Sequence, residues 1–459
     1  MKLTVLGGGG VRAPFLSKSL AKSAKELGIT EIVFMDNDEK KLSMYGNLAM
    51  KISKAIDEDI DFKITLDPIE AVKNADYIIT TLRVGQDDGR CYDEELAQKY
   101  GVLGQETTGV GGFAMALRSI PVLIEYCNLI KLHSNENSII FNFTNPSGLV
   151  TQALRNEGFD NVYGICDGPS AFIRQLSNLF TSKGEYLDIT CYGLNHLSYF
   201  RNPKINGVSV KDLMFNDEKI YTDTELRLFD KSLIDILDYE MPNEYLYFFY
   251  YNDKVIRSIA KTGKTRGDLI RDINIRMTEN INKVDPDNIN EVFRIYATHL
   301  LEREMSYFSI ESGTVRTEKL VVPSFDEFIK SEDDGGYSSI ALNFIKAYTG
   351  KENVSMTLIL PNNGAISKLQ NDDTIEITCD ITKGKIVPRK IEDIPEVQLQ
   401  LISTIKNFER FTVESIKEKN KSKAIKALMI HPLINSYNIA SKIVDELLNI
   451  YSCYVGEWK

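Results

Sequence analysis

The sequence predicts an α/β protein: a doubly wound, Rossmann-type parallel sheet followed by a second α+β, largely helical domain. Three observations carry this. A glycine run, Gly7-Gly8-Gly9-Gly10, follows an apolar strand-like segment at residues 3–6. Short apolar runs at 32–35, 62–64, 77–82, 139–143 and 162–165 then alternate with helical patterns such as 118–133. Beyond residue 195 that rhythm is lost, so the chain divides into 1–195 and 196–459.

Residues 3–6 form the first strand, and the next helix places Leu16, Leu20, Ala24 and Leu27 at helical spacing. Pro14 stands in its first turn, where a missing N–H costs nothing, and Gly28 just past its end. Residues 32–35 make the second strand, closed by Asp36. In a doubly wound sheet ligands collect at the carboxyl ends of the strands, where these motifs lie. In the second half, 196–250 read as strands and irregular structure, 268–310 as helix, 354–390 as short strands and 400–452 as long helices. Asp333-Asp334-Gly335-Gly336 reads as a loop.

Hydrophobic residues make up 43% of the chain and charged residues 26%, ordinary for a globular protein. The net charge of −11 argues against nucleic acid, whose phosphates need a basic surface. Apolar runs stay short of the eighteen or so residues of a membrane span, and no signal peptide is visible; the expectation is a cytoplasmic protein with no membrane partner. The six cysteines show no paired spacing and read as reduced thiols, five of them as core filler.

Two registers of the nucleotide fingerprint are available. Gly7-x-Gly9 puts Arg12 at the third small position, whereas Gly8-x-Gly10 puts Ala13 there and fits G-x-G-x-x-A. Gly8, Gly9 and Gly10 let the backbone turn and approach a pyrophosphate resting on the helix N-terminus. Asp36 stands where an acid accepts from a ribose 2′-hydroxyl and repels a 2′-phosphate, which favours NAD over NADP. Cys166 and His196 add a soft and a borderline metal ligand beyond this half.

With these residues in view, the chain resembles glycoside hydrolase family 4, the NAD- and metal-dependent glycosidases. The likeness runs through TLRVG (81–85), YGVLGQETTGVGGFAMALRSIP (100–121), NFTNPSG (142–148), ICDGP (165–169), YGLNHLSYF (192–200), MPNEYL (241–246) and NNGAI (362–366). The chain departs from the family in having Gly10 where a serine is usual, and in lacking the glutamate commonly found after Arg266. The resemblance implies hydrolysis of 6-phospho-glucosides to glucose 6-phosphate. The route is oxidation at C3 by NAD, loss of the C2 proton, elimination at C1, water addition and reduction back. The family stands outside two-carboxylate glycoside hydrolysis.

Residue by residue, the resemblance implies that Cys166 and His196 are the protein ligands of Mn(II) or another divalent metal. It makes Asp167 the general acid and Tyr245 the base. A phenol titrates near 10, so such a base needs a metal or cation beside it. With 22 tyrosines present, it is the register of Pro242-Asn243-Glu244-Tyr245-Leu246 that selects Tyr245. Arg90 and Arg266 match arginines that grip the 6-phosphate through a planar donor fork, and Asn145 matches a residue holding sugar hydroxyls. His133, His299 and His431 are read as structural. Asp167 after the cysteine follows the 6-phospho-α-glucosidase pattern, while the wider motifs follow the 6-phospho-β-glucosidases; the expectation leans to β. A homodimer or homotetramer is implied. An NAD-dependent 2-hydroxy-acid dehydrogenase and a non-catalytic NAD-binding regulator are the competing readings.

Overall fold

The computed structural model describes residues 1–313, 321–332 and 336–459; Asp333, Asp334 and Gly335 of the expected loop lie outside the described residues. By contact the chain forms two units, 1–139 with 252–335 and 140–251 with 336–459. This division differs from a single change of domain near residue 195. The reason is that 252–335 pack with the N-terminal helices, while the late strands pair with those after residue 139.

In the first unit β1 (Lys2–Leu6), β2 (Glu31–Met35), β3 (Asp61–Thr65) and β4 (Tyr77–Thr80) run parallel in the order β4-β1-β2-β3. β1 is buried throughout and β2 nearly so, hence their unbroken apolar sequences. Helix Ala13–Leu27 follows β1, with Pro14 in its first turn and Gly28 left-handed at φ 76° as its cap. Helices Gln86–Lys99, Arg266–Ile281 and Ile289–Met305 complete the part that concerns the site.

Helix Gly109–His133 corrects one expectation. It is long and apolar enough to cross a membrane by length and composition, with a mean hydropathy of 1.4 over 18 residues. Counting uninterrupted apolar runs misses it because Arg118, Ser119 and Pro121 break the series. Most of that window, 61%, is buried inside the protein, and Arg118 within the helix is fully buried. Its guanidinium makes a bidentate pair with Asp93 at 2.9 and 2.7 Å and donates to the Val84 carbonyl at 2.9 Å. Removing one side of a buried pair strands the other charge, so Asp93→Ala should cost about 3–5 kcal/mol of unfolding free energy. A denaturant midpoint within error of wild type would refute this.

In the second unit β5 (Ile139–Asn142) and β6 (Val162–Gly164) run parallel, and β9 (Val354–Pro361) joins β6 antiparallel. Before β9 in sequence come β7 (Leu187–Leu194) and β8 (Leu197–Ile205), an antiparallel hairpin; β10 (Thr374–Thr382) pairs with both β9 and β7. The unit is thus a mixed sheet. Helices Glu396–Glu418, Lys421–Ile430 and Tyr437–Ile450 fill the region read as long helices. The cysteines expected as core filler are buried except Cys453, which is exposed on the short terminal helix Ser452–Val455. His299 and His431 are buried.

Candidate active site

The first unit builds a glycine turn after β1. Gly7 has φ 101°, and a Cβ there would lie 2.6 Å from the Thr81 carbonyl oxygen. On Gly8 it would lie 2.5 Å from Phe34 Cβ. Glycine is therefore required by close backbone packing at both positions; Gly7, the earlier of the two registers, is needed as much as Gly8. Gly9 N donates to Asp36 Oδ2 at 2.9 Å, and Asp38 N donates to Asp36 Oδ1 at 3.0 Å. Burial pushes the Asp36 carboxyl up, against these two donors. The turn, the helix N-terminus after Gly10 and the acid closing β2 fit a dinucleotide.

Arg90 and Arg266 are brought together in the same unit, and both are buried. Arg90 Nε donates to Glu94 Oε1 at 2.8 Å and Nη1 meets Glu106 Oε2 at 2.8 Å. Burial opposes its charge, yet Glu106 and Glu94 hold the guanidinium above its ordinary range. Glu94 Oε2 also accepts from Gly267 N at 2.7 Å, tying the two helices together. Arg266 Nη1 donates to Ser306 Oγ at 2.8 Å and Nη2 to the Arg303 carbonyl at 3.1 Å, with its plane over Tyr307. Burial, then repulsion from Arg90, lowers its pKa despite Glu311. Sequence reasoning missed Glu106, although it stands inside the quoted GQETT stretch.

In the second unit Cys166 is the N-cap residue of helix Asp167–Phe180, at the carboxyl end of β6. His196 sits in the tight turn joining β7 to β8 with a left-handed φ of 61°. That turn brings His196 Nε2 to 3.5 Å from Cys166 Sγ, both residues buried. At that separation a sulfur and an imidazole nitrogen could both ligate one cation. The pair fits a shared metal. Among the described residues no group of three or more His, Cys, Asp and Glu stands close enough together to hold a cation. Burial pushes the Cys166 thiol well up, aided by the charges of Glu376 and Asp167.

Tyr245 lies on the short 3-10 turn Glu244–Leu246. Asn243 holds that turn, accepting from Tyr245 N at 3.0 Å through its side chain and donating its own N–H to the Ser198 carbonyl at 2.9 Å. Tyr245 stacks on His196, ring centroids 3.9 Å apart and planes within 4°. Its neighbours are engaged elsewhere: Tyr247 stacks on Tyr251, and Tyr250 bonds the Tyr199 hydroxyl. Asp167 occupies the first turn of the helix that Cys166 caps. Asn145 follows β5 and precedes Pro146, the N-cap of helix Ser147–Asn156; both Asn145 and Asp167 are half-buried. Cys166, His196 and Tyr245 therefore form one cluster, with Asp167 adjoining it.

Two further residues hold the histidine turn: Asn195, inside the quoted 192–200 stretch, and Glu376, which left no sequence signal. Asn195 Nδ2 donates to Glu376 Oε1 at 3.0 Å, and its Oδ1 accepts from Gly148 N at 3.2 Å. Glu376, on β10, is almost wholly buried and its carboxyl is pushed up to about 7 by burial, against Asn195 and Ser198. An isolated glutamate in a strand cannot be distinguished from a surface acid without its neighbours.

A Rossmann-like fold with a glycine turn after its first strand and an acid closing its second is of the dinucleotide-binding class. The comparisons narrow this. Residues 2–181 match the model of family 4 glycosyl hydrolases, and residues 191–434 match that family's C-terminal domain. The chain belongs to family 4 of the glycosyl hydrolases. It is similar to the 6-phospho-beta-glucosidase BglT of Thermotoga maritima, 30% identical over 99% of both chains. It is also similar to the phospho-alpha-glucosidase PagL of Clostridium acetobutylicum, 24% identical over 99% of this chain and 98% of that one. A structure of the Thermotoga maritima 6-phospho-beta glucosidase with manganese, NAD+ and glucose-6-phosphate superposes with a TM-score of 0.80, at 28% identity and 99% coverage of each chain.

Proposed function

We propose that this chain hydrolyses 6-phospho-glucosides to glucose 6-phosphate, using NAD and Mn(II) or another divalent metal. The observation that carries the reading is the convergence of buried Cys166 Sγ and His196 Nε2 with the half-buried Tyr245 ring in one cluster. In this proposal Gly8, Gly9, Gly10 and Asp36 of the first unit hold NAD, and Cys166 and His196 of the second hold the metal. When bound, these groups supply a reversible hydride acceptor and a Lewis acid that acidifies a proton beside a ketone. The chain's own residues do the rest. Tyr245, kept beside His196 by the ring stack, takes the C2 proton. Asp167 protonates the departing oxygen at C1, and Asn145 orients the sugar hydroxyls.

A dehydrogenase of 2-hydroxy acids needs neither the Cys166–His196 pair nor Tyr245 stacked on it. Within the family we favour the β-glucoside on the motifs GQETTGVGGF, NFTNPSG and GLNHLS; Asp167 supports the alternative, and identities of 30% to a 6-phospho-beta-glucosidase and 28% to a 6-phospho-alpha-glucosidase do not separate the two. We further place the enzyme in the cytoplasm as a homodimer or homotetramer, without nucleic-acid or membrane partners, in keeping with its charge of −11. The test is turnover of α- and β-linked p-nitrophenyl glucoside 6-phosphates with NAD+ and Mn(II). Cleavage of neither, or net NADH formation from a hydroxy acid, defeats the reading.

Arg90 and Arg266 grip the 6-phosphate in this proposal, and their settings predict different mutants. Arg266→Gln leaves carbonyl and hydroxyl acceptors behind, so it should mainly raise KM for the phosphorylated substrate, by roughly 1.5–3 kcal/mol in kcat/KM. Arg90→Gln strands two acids, Glu94 and Glu106, and should in addition destabilise the fold by about 3–5 kcal/mol. Equal cleavage of the unphosphorylated glucoside by wild type would exclude the phosphate role.

A further inference from the structure

Arg303 stands in the last turn of helix Ile289–Met305, directly beside Arg266, whose Nη2 donates to its carbonyl at 3.1 Å. Its own guanidinium Nη1 donates to Asn274 Oδ1 at 2.8 Å, a neutral partner. Among the described residues no carboxylate comes within 4.0 Å of it. Asn274 meanwhile donates to Asp87 Oδ2 at 2.6 Å. Burial would raise the Asp87 carboxyl, but Arg83, Asn274, Arg303 and Lys41 together hold it below the ordinary range, so its charge is shared among several cations.

Two more guanidiniums bear on Arg303. Arg12, the residue capping the helix after the glycine turn, meets Glu304 Oε1 at 3.0 Å. Arg83 lies 3.9 Å from Asp87 Oδ1 and pairs with Glu106. Burial first, and then the charges of Arg12 and Arg83, push the Arg303 guanidinium down to about 10, against Asp87 and Glu304. A half-buried cation held among cations with a single amide partner is unfavourable in the unliganded protein. Such an arrangement suits a fork that an anion completes, since guanidinium matches phosphate bidentately.

We propose that Arg303, flanked by Arg12 and Arg83, seats a phosphate group of a bound ligand. The proposal rests on the reading above, in which two ligands carry phosphate: the sugar through its 6-phosphate and the dinucleotide through its pyrophosphate.

The experiment titrates wild type, Arg303→Gln and Arg303→Lys with glucose 6-phosphate, NAD+ and inorganic phosphate by calorimetry, and records each ligand-free Tm. Glutamine removes the charge and keeps a shorter polar side chain. Arg303→Gln should weaken one of the two organic ligands about tenfold or more, the loss expected for a charge-assisted hydrogen bond. Loss confined to glucose 6-phosphate identifies the sugar phosphate, and loss confined to NAD+ the pyrophosphate. Arg303→Lys should fall between. The ligand-free Tm should hold or rise, because repulsion from Arg12 and Arg83 is relieved. Unchanged affinities for both ligands, with or without a lower Tm, would overturn the proposal. If wild type bound neither organic ligand, the functional reading would fail instead. Inorganic phosphate would then decide this one: binding lost in Arg303→Gln supports it, and equal or absent binding in the two proteins ends it.

Discussion

Hydrolysis in D2O is expected to return glucose 6-phosphate carrying deuterium at C2, with no net build-up of NADH. A glycosidase that displaces the aglycone at C1 never touches the C2 hydrogen. Here the proposed base, Tyr245, removes that proton, and solvent supplies its replacement. The ring stack on His196, with centroids 3.9 Å apart, keeps the phenol beside the metal pair. Tyr245→Phe preserves the ring and so the stack, and deletes only the hydroxyl. It should lower both exchange and turnover by about 10²–10⁴, the range for a positioned general base. NAD+ affinity should be unchanged, since the glycine turn and Asp36 proposed to hold it are not altered. Proton NMR of the product reads the C2 position directly. Retained protium would argue that no proton leaves, unless the base shields it from solvent. Pre-equilibration in D2O and many turnovers close that escape, and a surviving C2–H then sinks the elimination route.

Cys166→Ser should lower activity at least about a hundredfold, the scale seen when metal ligation is disturbed. Chelator should abolish wild-type activity and Mn(II) restore it. The physical ground is the pair geometry: Sγ and Nε2 lie 3.5 Å apart in a buried setting with no third acidic or imidazole ligand arranged around a cation among the described residues. A two-ligand site holds a weakly binding ion such as Mn(II) loosely, so removing one ligand removes most of the affinity. Burial keeps the Cys166 thiol protonated in the absence of a cation, and metal entry must therefore expel its proton. Titration of Mn(II) by electron paramagnetic resonance measures the loss without reference to turnover. Wild-type affinity in Cys166→Ser, or full activity in chelator, would remove the metal role.

Much of this was legible before any coordinates. β1, β2 and the helix Ala13–Leu27 follow from local signals: apolar runs, Leu16, Leu20, Ala24 and Leu27 at helical spacing, Pro14 and Gly28 at the ends. The apolar helix Gly109–His133 extends the helical pattern of 118–133 backwards, because the helix-breaking signal of Gly109, Gly111 and Gly112 at its start is overridden by burial. Division at residue 195 follows the order of the chain, whereas the units are assembled from non-adjacent segments. No local pattern tells residues 252–335 that they pack with residues 1–139.

The sequence alone was enough for the glycine turn after β1 and the strand-end positions of Asp36, Asn145 and Cys166, and its motif register is what proposes Tyr245 as the base. All of these are short-range, or carried by resemblance over whole motifs. Tertiary structure alone decided which side chains meet. It set His196 against Cys166 through the turn between β7 and β8, and laid Tyr245 flat on the imidazole. It closed Glu94 and Glu106 around Arg90, left Arg303 with an amide in place of an acid, and put Glu376 behind Asn195. The reason is geometric: these contacts join residues tens to hundreds of positions apart. Their energies depend on burial and charge partners that exist only once the sheet and helices have brought them together.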